Sequence, residues 1–85
     1  MKEFTYVIQD ALGLHARPAG MLVKAVAGYQ CSVTLTAPTG KADAKRLMAV
    51  MRLAAKQGME LTVTCDGADE EKAATELKAF LEANL

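Results

Sequence analysis

The stretch Gly13 to Gly20 reads GLHARPAG and holds the only histidine of an 85-residue chain. Histidine is the side chain whose ordinary titration range lies near neutral pH. Two residues later Arg17 brings a permanent charge on a planar fork that matches phosphate oxygens. Pro18 suits the first turn of a helix, where its missing N–H costs nothing. The apolar period turns helical from Ala16, so His15 falls just before a helix start. The first N–H groups of a helix have no intrahelical acceptor. The dipole makes the same spot favourable for an anion. Gly13 gives the preceding loop freedom to present the ring. A neutral imidazole there is a usable nucleophile toward phosphorus. The resulting dianion would sit over free N–H groups and a guanidinium. Charge-assisted hydrogen bonds of about 1.5–3 kcal/mol each suit a group that must be both held and released.

Side-chain type alone does not make this a site, because most histidines of small domains are surface or cap residues. The neighbours carry the chemistry here. A metal centre is not expected: there is no second histidine, and no cysteine or carboxylate stands at ligand spacing nearby.

The elements that must position His15 follow from periodicity. Phe4, Tyr6 and Ile8 alternate along a first strand. Ala19, Leu22, Val23 and Val26 form one helical stripe that Gly28 is expected to end. Cys31 to Thr36 alternates apolar and hydroxylated residues, a half-buried strand. Ala37-Pro38-Thr39-Gly40 is a turn, with Lys41-Ala42-Asp43 as a short return strand. Lys45 to Ala55 reads as a helix that is apolar nearly all round, ended by Gln57-Gly58. Leu61, Val63 and Cys65 mark a fourth strand. Asp69 is a suitable N-cap, with Glu70 and Glu71 in the first turn of a last helix. Ala73, Leu77, Phe80 and Leu81 form its buried stripe. The order β-α-β-β-α-β-α, with half-wet strands, predicts a two-layer α+β domain with helices on one side of an antiparallel sheet.

Composition narrows the partners. Ten basic residues balance ten acidic ones, so there is no global basic excess to draw in a nucleic acid. The longest strongly apolar run, Leu47 to Met51, is far short of a membrane span. Met1-Lys2 leads straight into the first strand without the apolar core of a signal peptide. The chain is therefore read as cytoplasmic, with Cys31 and Cys65 as reduced core thiols.

GLHARPAG, followed by KRLMAVMRLAAKQGMELTV and GADEEKA, resembles the HPr family, the histidine-containing phosphocarriers of the bacterial sugar phosphotransferase system. The likeness spans essentially the whole chain and implies a single HPr domain over residues 1–85. It implies an open-faced β-sandwich, a four-stranded antiparallel sheet in order 1-4-2-3 with three helices on one face. By the same resemblance His15 accepts a phosphoryl group on Nδ1 from phospho-enzyme I. It then passes the group to a histidine of a sugar-specific enzyme IIA. Arg17 and the backbone amides of Ala16 and Arg17 stabilise the phosphohistidine. The resemblance implies a middle helix with Val50, Leu53 and Ala54 inward and Leu47, Met48 and Met51 at least partly outward; the outward three, with Gly20 and Lys24, form the partner surface, and Lys45 and Arg46 add a basic rim. No cofactor, no metal, no nucleic acid and no membrane insertion are implied. The chain is expected to act as a monomeric carrier rather than an enzyme.

Two positions depart from the family pattern. Arg46 stands where many Gram-positive members carry a regulatory serine, so the serine-kinase branch is expected to be absent. Leu12 replaces a small polar residue beside the histidine, and leucine offers phosphate no hydrogen bond. These departures keep a second reading open, an HPr-like paralog in a regulatory or nitrogen-related phosphotransfer system. A small ferredoxin-like RNA-binding domain fits poorly, since stacking aromatics and basic excess are both missing.

Overall fold

A computed structural model describes residues 1–85. Strands β1 (Lys2–Val7), β2 (Ser32–Ala37), β3 (Gly40–Asp43) and β4 (Glu60–Asp66) form one antiparallel sheet. Its order is β1-β4-β2-β3. Helices α1 (Ala16–Ala27), α2 (Leu47–Arg52) and α3 (Glu70–Asn84) supply the second layer.

Strand alternation decides which sheet face is covered. Val33, Leu35, Leu61, Val63 and Cys65 are buried, together with Ile8 just past β1. They meet Leu22 and Val26 of α1, Val50 of α2, and Leu77 and Leu81 of α3 in one core. No polar side chain is buried. The opposite face carries hydroxyls. Thr62 pairs across with Thr5 on one side and Thr36 on the other, and Thr64 pairs with Thr34. Cross-strand threonine pairs of this kind contribute a few tenths to about 1 kcal/mol each and leave that face wet.

Both thiols are free and buried. Burial pushes the Cys31 thiol up to about 11, and burial likewise raises Cys65. Both therefore stay protonated near neutral pH.

Three local expectations change. Asp69 does stand at the start of α3, but its carboxylate does not cap that helix. It accepts the backbone N–H groups of Gln30 and Cys31, both at 2.8 Å. Those bonds hold its carboxyl below the usual carboxylate range and tie α3 to the lead-in of β2. Gly28 ends α1 at φ −79°, in the right-handed region, so no left-handed cap is used there.

The middle helix is shorter than its composition predicts and stops at Arg52. The N–H groups of Leu53 and Ala54 reach back only three residues, to Val50 and Met51. Ala54 then takes φ +49°, a left-handed conformation. This turn points Ala54 to solvent, while Val50 and Leu53 remain buried as expected.

Candidate functional site

His15 is the residue that opens α1. Its extended backbone, φ −91° and ψ −177°, turns the chain into the helix, and its side chain makes no cap bond. Its carbonyl accepts the N–H of Ala19. The N–H groups of Ala16 and Arg17 find no acceptor within the chain, and Pro18 has no N–H to satisfy. The helix start thus offers an anion cradle at the residue that carries the ring.

The loop before it is pinned from two sides. The Leu14 N–H donates to the Ala55 carbonyl at 2.9 Å, which fixes the ring to the segment after α2. Gly13 makes that approach possible. It adopts φ +68°, and a Cβ there would lie 2.4 Å from the Ala55 oxygen. Upstream, the Leu12 N–H donates to Asp10 Oδ1 at 2.8 Å and the Gly13 N–H to the Asp10 carbonyl at 2.9 Å. This small turn leaves Leu12 74% exposed.

His15, Arg17, Pro18 and Met21 line a depression of about 290 Å³ with Asp10 and Asn84. Arg17 is exposed and forms no ion pair, so its guanidinium is available to an anion. The side-chain amide of Asn84 donates to the Phe80 carbonyl, which holds it at the end of α3. Asp10, Met21 and Asn84 were not singled out in the sequence. Met21 was within reach, since it lies one helical turn past Arg17. Asp10 and Asn84 join the site only through folding across the chain.

Helices α1 and α2 run past each other in opposite directions. The end of α2 meets Leu14, while Lys45, just before α2, donates from Nζ to the Tyr29 carbonyl beyond α1. A helix of twelve residues is about 18 Å long. His15 and Arg17 therefore sit at one end of the pair, and Lys45 and Arg46 at the other. Gly20 and Lys24 lie along the intervening stretch of α1. Between the ends, Met48 is 65% and Leu47 42% exposed, and Met51 is half-buried. A Cβ on Gly20 would meet nothing within 4 Å. Arg46 is the residue before α2, exposed and without an ion pair, and no acidic residue occupies that helix's first turn.

The family described as PTS HPr component phosphorylation site matches residues 2–83. The phosphocarrier protein HPr of Mycoplasma genitalium is 39% identical over 99% of this chain and 97% of its own length. A solved structure of HPr-C-His from Thermoanaerobacter tengcongensis superposes with a TM-score of 0.92 at 34% identity. It covers 98% of this chain and 93% of that one. An HPr dimer from the same organism, also 34% identical, gives 0.76 over 98% of this chain and 95% of that one.

Proposed function

The chain belongs to the HPr family of phosphotransferase-system phosphocarriers, and on that premise we propose that His15 carries the phosphoryl group. The observation that carries this reading is the conjunction at the start of α1. One imidazole stands there beside two unsatisfied N–H groups and an unpaired guanidinium. In the receiving step a ring nitrogen attacks phosphorus while the bond to the donor breaks. The new dianion is then held by the Ala16 and Arg17 amides and by the Arg17 fork. No other side chain forms a covalent bond. The protein serves as a reactant delivered from one partner to the next, not as an enzyme.

The donor is enzyme I and the acceptor an enzyme IIA domain, in the cytoplasm. The exposed strip of Met48, Leu47 and Met51 supports docking, because unbranched methionines repack against different partners. Gly20 adds a flat spot about one turn into α1, and Lys24, Lys45 and Arg46 supply positive charge that steers acidic partners. The carrier is read as working as a monomer.

Leu12 favours a second reading. A large apolar group held out in the loop before the histidine suits acceptors with a matching apolar hollow, as in a regulatory or nitrogen-related branch. The test is a reconstituted relay of phosphoenolpyruvate, enzyme I, this chain and a sugar-specific IIA domain. Passage of label to that IIA is expected. Label that stops on the chain would move the assignment to the regulatory branch.

A further inference from the structure

The depression around His15 contains a negative charge as well as a positive one. Asp10 lines it together with His15 and Arg17. Its backbone is fixed there, because the Asp10 N–H donates to the Leu85 oxygen at 2.7 Å and its carbonyl accepts from Gly13. One carboxylate oxygen, Oδ1, accepts the Leu12 N–H. The other, Oδ2, has no hydrogen-bond partner in the chain and Asp10 forms no ion pair. Making the turn needs a single acceptor atom, which an uncharged amide would also provide. The charge is therefore surplus to the local fold.

We infer that Asp10 is a tuning residue that weakens the hold of this pocket on the phosphoryl group and so drives onward transfer. The inference rests on the reading of His15 as the carrier. In transfer to a histidine acceptor, the bond from phosphorus to the His15 nitrogen breaks and its electron pair returns to that nitrogen. A lone pair on the acceptor's ring forms the equivalent bond. Bonds made and broken are of the same kind, so the environments of the two phosphohistidines set the equilibrium. On this chain the amides and Arg17 stabilise the dianion, and the Asp10 carboxylate in the same depression repels it. Asn84, the side chain that α3 contributes to the lining, is neutral.

The test phosphorylates the chain with enzyme I and phosphoenolpyruvate, removes enzyme I, and mixes the product with a IIA domain. The equilibrium share of label on each protein is then read. Asp10→Asn keeps an acceptor for the Leu12 N–H and removes the charge. It should retain label on the chain three- to tenfold more than the wild type in about 20 mM salt. The difference should shrink in about 0.5 M salt, because exposed charges are screened. Asp10→Glu keeps the charge while disturbing the turn, and should distribute label as the wild type does. An unchanged distribution for Asp10→Asn, or an equal shift for Asp10→Glu, overturns the inference. A wild-type chain that enzyme I cannot label removes the carrier reading itself, and the inference with it.

Discussion

At the residue scale, the candidate site gathers one imidazole, an unpaired guanidinium and the Asp10 carboxylate in a single depression. Arg17 contributes more than a charge, since its fork can hold two phosphate oxygens at once. Arg17→Lys keeps the charge and loses the fork. We expect about one charge-assisted bond to be lost, roughly 1.5 kcal/mol. Rapid-quench transfer from phospho-enzyme I should slow by about tenfold, with the fold unchanged because Arg17 is exposed. A rate equal to wild type would remove Arg17 from the cradle. His15, Arg17 and the free amides were legible in the sequence, because they are neighbours along the chain and a helix start has known chemistry. Asp10 was not. Its role depends on a turn that folds the loop back onto the ring, and no local period announces such a turn.

At the element scale, backbone conformation decides how the ring is presented. Gly13 meets the Ala55 carbonyl where no side chain fits, and its φ is positive. Gly13→Ala should cost about 2 kcal/mol or more, lowering the melting temperature by at least about 8 °C. Gly20 faces open space inside a helix, so Gly20→Ala should gain about 0.5–1 kcal/mol. If Gly20 is flat for a partner's sake, that gain comes with slower transfer. Ala54 holds a left-handed conformation that favours glycine, and Ala54→Gly should raise the melting temperature. Thermal melts of the three variants check the signs together, and a neutral Gly13→Ala would contradict the described approach.

The same helix pair shows where periodicity loses its power. Lys45 to Ala55 reads as a long apolar helix because composition marks helix-formers. The actual stop at Arg52 is imposed by the need to bring the Ala55 carbonyl to Leu14. That demand is tertiary, and no residue in the run signals it. The long amphipathic helices and alternating strands were readable because each buries one face. Asp69 was placed correctly but misassigned in role, since its acceptors' partners lie in a loop far away in sequence.

At the scale of the whole molecule, burial of titratable groups sets a pH range for stability. Burial holds the Cys31 thiol near 11 instead of the ordinary 9.0. Burial and a hydrogen bond to Glu76 hold the Tyr29 hydroxyl near 12. Above pH 9 the unfolded chain releases the Cys31 proton while the folded chain keeps it. The unfolded state then binds fewer protons, so stability falls as pH rises from 9 toward 12. On the acid side the Asp69 carboxyl is lowered in the fold, so its contribution is lost as pH falls below 3.8. Urea midpoints should be nearly level between pH 5 and 8 and decline beyond both edges. Cys31→Ala should lessen the first part of the alkaline decline, with the buried Cys65 thiol keeping the remainder. A midpoint constant from pH 8 to 11 would contradict the burial of these groups.

Sheet order and layering follow from the same burial. Each strand has one apolar face, and three helices suffice to cover one side of a four-stranded sheet. The threonine face stays open because nothing in the chain remains to cover it. The loop between β1 and α1 leads into His15, which stays partly exposed at the start of α1.

The most direct measurement of the central claim is phosphorylation by enzyme I with radiolabelled phosphoenolpyruvate, read for the wild type and for His15→Ala. The account predicts one phosphate per wild-type chain, lost in acid and retained in base, as a phosphoimidazole behaves. It predicts none on His15→Ala. Label that persists on His15→Ala, or a wild-type label that withstands acid, would contradict it.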